Sequence, residues 1–290
     1  MAALENTVTT AQVATALDQE MLANFKQEYD RLAELFGIVS PEVMAAGTAL
    51  YQYKVTGSLN ASAVAEGDEV PLSQYAVEKV PVGELAVKPY RKLTTAQAVL
   101  KSGFVNAVTR TDAKMLQDVR ADIIDGFFAS LAAGTSTASG KTLQAALAYA
   151  DAVLGDEMEA NNDHDESVLH FVSRQDVAGH LATANVTTQT AFGMTYIQNF
   201  LGVQHMFVTS KVPQGTVYAV PAGNVHMYAV DFGALADASL EYAVQDGGLI
   251  GVHHQPAYAR TSSETYVLSG AKMMAENIGY IVKATIAPEA

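Results

Sequence analysis

The 290 residues carry 17 Lys and Arg against 31 Asp and Glu, a formal net charge of −14, so a continuous basic surface for gripping DNA phosphates or an anionic membrane is hard to build. There is no Cys, which removes disulfides, thiolate catalysis and Cys-ligated metal centres. On a prior of about 150 residues per domain, the length suggests one large or two intermingled domains. Charged residues are only 17% of the chain, and within 177–230 the sole Asp, Glu, Lys or Arg is Lys211. Asn185, Thr187, Thr188, Gln189, Thr190, Gln198 and Asn199 interrupt that stretch, so it is no membrane span but a domain with buried or subunit-covered faces.

The first residues, MAALENTVTTAQ, lack the basic and long apolar segments of a signal peptide, so the protein is expected to stay where it is translated. Val13, Leu17, Met21, Phe25, Leu32 and Leu35 then recur at helical spacing, predicting an amphipathic helix ended near Gly37 and Pro41. Its pattern is compatible with packing on its own body or with an arm on a neighbour. We expect the stripe to be separable from the main core.

From 48 to 92 the period changes to two: Tyr51, Tyr53 and Val55 alternate with Gln52 and Lys54, and a second extended run passes through Tyr75, Val77 and Val80. Between them NASAVAEGDEVPLSQ (60–74) reads as a long exposed hairpin tip. A two-stranded hairpin is marginal alone, so this one needs outside support.

After a short helix at 94–101, a long one is expected over 104–133. Its apolar stripe is Val105, Val108, Met115, Leu116, Val119, Ile123, Phe127 and Leu131, with Arg110, Lys114, Asp118 and Asp122 facing away. Such a spine is about 45 Å long. GTSTASGKT (134–142) invites a phosphate-loop reading, but five residues lie between Gly134 and Gly140 where the motif needs four and a preceding strand. The plain reading is a flexible linker.

A second amphipathic helix is expected over 143–154, followed by the acidic patch DEMEANNDHDE (156–166). Carboxylates this dense can hold calcium, yet the loop lacks the sixth-position Gly of a calcium hand, so a solvated loop is the expectation. A strand over 167–173, a helix over 174–184, strands near 205–210, 215–220 and 224–230, and further strands in 247–260 and 278–286 complete an α+β chain.

No chemistry-bearing constellation emerges. His164, His170, His180, His205, His226, His253 and His254 show no paired-His helix motif, and in a strand the adjacent His253 and His254 point to opposite faces. A core or interface role is expected for each. A nucleophile elbow and a dinucleotide fingerprint are also missing, so no catalytic, cofactor-binding or metal-binding residue is assigned. Arm, protruding hairpin, spine and charge-poor domain together describe a self-assembling structural protein, because such extensions gain meaning when neighbours cover them.

Particular stretches carry a resemblance: AEGDEVPLSQY (65–75), KPYRKLTTAQAVLKSGF (88–104), NVTTQTAFGMTYIQNFLG (185–202), TSKVPQGTVYAVPAGNVHMY (209–228) and GLIGVHHQPAY (248–258). In order and spacing they resemble the major capsid proteins of tailed bacteriophages, of the siphophage, Gram-positive-host type, in the Hong Kong phage-type capsid fold. The resemblance covers about residue 40 to the end. It implies an N-terminal arm (1–44), an extended loop with flanking strands (45–92), a peripheral domain with the spine (93–138, returning at 235–290) and an axial domain (139–234).

It further implies pentamers and hexamers closing an icosahedral shell around double-stranded DNA, held without sequence-specific binding, in a virion assembled in the host bacterial cytoplasm. A separate scaffolding protein and a portal are the implied partners besides the chain itself, with no membrane and no cofactor. An encapsulin-like compartment shell is the alternative, and a metal- or nucleotide-dependent enzyme resting on 134–142 and 156–166 is the third possibility. No intersubunit crosslink is carried over, since Lys54 lies on a strand and 57–74 contain no Lys. The tip acids Glu66, Asp68 and Glu69 either stay in water or meet cations of a neighbour. The resemblance favours the second, with Arg110, Lys114 and Arg120 of the spine as candidates.

Overall fold

The computed structural model describes residues 10–38, 40–60, 63–164, 167–181, 189–191, 194–200, 202–244 and 248–287. Tip residues 61–62, acidic residues 165–166 and the expected helical end at 182–184 lie outside them, as does the side chain of His180.

Helix α1 (Thr10–Phe36) is the expected amphipathic helix, followed by the short strand β1 (Glu42–Met44). The long hairpin is β2 (Ala49–Ser58) and β3 (Gln74–Glu84), antiparallel with a bulge between Leu50 and Tyr51. β4 (Lys88–Thr95) leads into α2 (Ala96–Ser102), whose first turn is capped by the Thr95 hydroxyl accepting from the Ala98 N–H. Gly103, at φ 78°, supplies the left-handed residue that ends α2, and a π turn (Val105–Thr109) then runs into the spine α3 (Arg110–Leu131).

The segment expected to be a flexible linker is instead strand β5 (Ser136–Gly140), pairing in parallel with the last strand of the chain. Small residues suit it because helix α4 (Leu143–Ala160) lies directly on it: a Cβ on Gly140 would stand 2.3 Å from the Ala146 nitrogen. α4, capped by Thr142, also corrects the acidic patch. Asp156, Glu157 and Glu159 form its last turns, since Leu154 and Met158 continue the buried face.

Strand β6 (Val168–Ser173), helix α5 (Arg174–Leu181) and strands β7 (Gln189–Ala191), β8 (Met194–Phe200), β9 (Val203–Thr209), β10 (Thr216–Pro221) and β11 (Val225–Val230) follow. The chain closes with α6 (Ala234–Asp237), β12 (Ala243–Val244), β13 (Ile250–Ala257), β14 (Ser262–Ser269), β15 (Lys272–Ala275) and β16 (Val282–Ile286). β7, β8, β14 and β15 are strands that periodicity did not single out.

Seven strands form one mixed sheet in the order β5-β16-β10-β6-β9-β8-β7. Its alternation splits the core: Leu169, Phe171 and Phe207 face one side, and Val172, Met206 and Val208 face α4 on the other. The first side is the main core, shared with α1, α3 and the sheets β12-β13-β14-β4 and β1-β11-β15. The sheet takes β16 and the start of β5 from outside the 139–234 stretch.

The expectation that the α1 stripe is separable is overturned. Met21, Leu22, Phe25, Leu32 and Phe36 are buried in the main core. The Phe36 ring lies 5.0 Å from Phe207, 5.8 Å from Phe171 and 5.9 Å from Phe127 in an aromatic cluster. Burial of these large side chains keeps the helix on its own subunit.

Candidate assembly surfaces

The hairpin projects from the body, and its base explains how. Leu50 and Leu85 are buried with Tyr228, Phe232 and Met274 in a satellite core. The buried Gln52 amide donates to the carbonyls of Ser130 at 3.2 Å and Ala275 at 2.7 Å, and the Tyr53 N–H donates to Glu276 O at 2.8 Å. Beyond these anchors the strands are two-sided ribbon. Register places Tyr51, Tyr53, Val55, Tyr75, Val77 and Pro81 on one face with Lys79 among them, and Gln52, Lys54, Thr56, Gln74, Glu78, Ala76 and Val80 on the other. Tyr51, Val55, Tyr75 and Val77 remain exposed. An amphipathic ribbon with its apolar face in water is a surface awaiting a partner. That face looks across a cleft of about 1140 Å³ toward Asn161–Asp163 and Pro221–Asn224.

The tip acids Glu66, Asp68 and Glu69 are exposed, and none makes an ion pair among the described residues. Their proposed cations fare differently. Lys114 pairs with Asp118 one turn along its own helix. Arg120 is mostly covered and pairs with Glu28 of α1 at 3.3 Å. Each therefore has an acidic neighbour within the subunit, although the Lys114–Asp118 pair lies in solvent. Arg110, at the start of α3, is exposed and unpaired among the described residues.

A buried ionic network holds α1 to the body. His254 Nδ1 lies 2.5 Å from Asp18 of α1, and its Nε2 lies 3.3 Å from Asp112 of α3. Asp112 also accepts from Lys92 of β4, whose ammonium donates at 2.7 Å to Thr111 Oγ1. Burial alone would lower the His254 pKa, but the carboxylates of Asp112 and Asp18 outweigh it and raise it to about 9. Burial would raise that of Asp112, yet hydrogen bonds from His254 and Lys92 hold it below the usual carboxylate range. Four elements are thus locked by charges that each need the others.

The network was readable only in part. Asp18 continues the Leu22, Phe25, Tyr29, Leu32, Phe36 stripe one turn backwards, and Asp112 does the same for Leu116, Val119 and Ile123. An acid at a core position demands a partner, but the identity of that partner is tertiary. Adjacent His253 does point the other way, between Tyr242 and Tyr266. His170 is buried with Nε2 2.6 Å from Asp151 of α4. Among the described residues no three His, Asp or Glu converge as metal ligands, and no helix is long and apolar enough to cross a membrane.

No protein-family model matches the chain, and no curated protein matches it in sequence. Solved structures do match in shape. The capsid of cyanophage A-1(L) superposes with a TM-score of 0.54 at 9% identity, over 89% of this chain and 93% of that one. The capsid of an empty GTA particle gives 0.50 at 13% identity, over 89% of each chain. The SrpI encapsulin of Synechococcus elongatus gives 0.50 at 10% identity, over 86% of this chain and 85% of that one. Superposing on these shell proteins over nearly nine-tenths of its length, this protein has the Hong Kong phage-type capsid fold.

Proposed function

We propose that the chain is the major capsid protein of a tailed bacteriophage, self-assembling as pentamers and hexamers into an icosahedral shell around double-stranded DNA. The observation that carries the reading is the anchored hairpin, which holds an apolar face of Tyr51, Val55, Tyr75 and Val77 in water on a fold otherwise met in shells. In this reading residues 1–44 are the N-terminal segment, 45–92 the extended loop, 93–138 and 235–290 the peripheral domain, and 139–234 the axial domain. The −14 charge suits a wall that must not adhere to its packaged polyanion. A scaffolding protein and a portal complete the partner set, assembly takes place in the cytoplasm of the host bacterium, and the phage is of the siphophage, Gram-positive-host type.

Electron microscopy of the purified full chain tests this: capsomers or closed shells are expected, and a small discrete oligomer overturns it. An encapsulin-like shell is the second reading, favoured by the SrpI superposition. Nuclease-protected DNA inside native particles decides for the capsid, and a co-purifying cargo enzyme decides for the compartment.

A further inference from the structure

A groove of about 780 Å³ is lined by Val43 of β1, by Val230 and Phe232 at the end of β11, and by Leu240, Tyr242 and Val244 on the way into β12. Val230 and Phe232 are buried, whereas Val43 is 53%, Leu240 50% and Val244 41% exposed. Large apolar side chains left in water around a concave floor mark a contact surface.

Two sheets end at this groove. β1 is the outer strand of β1-β11-β15, and β12 is the outer strand of β12-β13-β14-β4. The Asp231 N–H donates to Met44 O at 2.9 Å. In a parallel ladder alternate residues aim both backbone groups at the same neighbour, so Glu42 and Met44 serve β11. Val43, between them, directs its N–H and C=O away from β11, and no backbone hydrogen bond takes them up among the described residues. An outer strand with open backbone groups is a template for one more strand.

Charge says what that strand carries. No Lys or Arg lies between Lys211 and Arg260. Asp231 and Glu241 line the groove, and Asp237 of α6 is exposed next to its lining residue Ala236. None of the three acids makes an ion pair among the described residues. Uncompensated carboxylates at the rim favour a basic partner and repel an acidic one. Successive side chains of a strand point to opposite faces, so an added strand sets one series on Val230 and Phe232 and the other toward the acids. The matching occupant alternates apolar and basic residues. Every Lys or Arg of this chain that lies in a strand, from Lys54 in β2 to Lys283 in β16, sits in a strand already paired within the subunit, so the occupant comes from elsewhere.

We propose that the groove between β1 and β12 takes an extended basic segment of another protein, added as a strand along the open edge of β1. Main-chain hydrogen bonds to Val43 supply the pairing, and the apolar floor and acidic rim select the sequence. The groove belongs to the single subunit, so this holds whether or not the chain closes into shells.

Fluorescence anisotropy of a labelled heptapeptide alternating Lys and Val, titrated with the full-length protein at low salt, tests the site. It should bind on the order of tenfold more tightly than a heptapeptide alternating Lys and Pro, which has the same charge but cannot pair as a strand. Val43→Pro removes the outward N–H and no bond to β11, and should weaken binding of the Lys-Val peptide about tenfold. Asp237→Lys/Glu241→Lys should do the same. Glu66→Lys/Glu69→Lys makes an equal change in net charge at the hairpin tip and should leave the affinity unchanged.

Equal binding of the two peptides, or an equal loss from the tip reversal, means adherence to an acidic chain and overturns the site. A folded Val43→Pro variant with undiminished affinity overturns the strand pairing. Asp237, Glu241, Glu66 and Glu69 are exposed, so unchanged circular dichroism separates lost binding from lost folding, and the two reversals decide the site even where Val43→Pro does not fold.

Discussion

Raising the pH from 6 to 9.5 should loosen α1 from the subunit through His254. The imidazole is 3% exposed between Asp18 and Asp112, and its pKa of about 9 stands well above the ordinary 6.5. A basic group whose pKa is raised on folding stabilises the fold fully below its unfolded value and loses that contribution as pH climbs through the folded value. That elevation corresponds to about 3 kcal/mol in total. Most of it remains at pH 7, less than half at pH 8 and almost none at pH 9.5. Urea titration of the unassembled subunit, followed by circular dichroism, reads this directly. His254→Gln removes the cation and leaves two buried carboxylates facing Lys92 alone, costing about 3–5 kcal/mol near pH 6. The gap between the two proteins should then narrow toward pH 9.5, as the wild-type imidazole loses its proton. A gap that stays constant from pH 6 to 9.5 refutes the claim that His254 is held as a cation in the fold.

Deleting residues 1–36 strips the cover from Phe127, Phe171 and Phe207, so the truncated chain should aggregate rather than persist as a folded, assembly-defective subunit; light scattering and circular dichroism distinguish the two outcomes. Phe36→Ala alone should cost about 3–5 kcal/mol in urea unfolding. Gln52→Leu leaves the Ser130 and Ala275 carbonyls without their donor and should cost about 1–3 kcal/mol, with faster hydrogen exchange along the base of β2 and β3. Gly140→Ala drives a methyl into the α4 backbone and should markedly lower the yield of folded protein, whereas Lys141→Ala should alter neither folding nor assembly, and no ATP binding should be lost with it.

The helices and the hairpin were legible because each states its environment locally. The 3.6-residue recurrence from Met21 to Phe36 and from Leu116 to Leu131, and the two-residue alternation at Tyr51, Tyr53 and Val55, report one buried face without reference to what covers it. What covers it is non-local. β5 reads as linker because Ser, Thr, Ala and Gly carry no strand periodicity, and it becomes a strand only through pairing with β16, nearly 150 residues away, and α4 pressing on Gly140. β14 and β15, with Ser, Thr, Lys and Met at alternating depths, are likewise defined by β4, β13 and β11 beside them.

The candidate surfaces divide in the same way. That the tip is acidic and apolar is composition, visible in 57–74. That Arg120 pairs with Glu28 required the packing of α1 against α3. Sequence by itself determined which segments have an apolar face and which carry charge, because those are properties of single side chains and their spacing. Only the tertiary structure decided which faces and charges are already satisfied within the subunit, because satisfaction is a relation between residues that the chain brings together from afar.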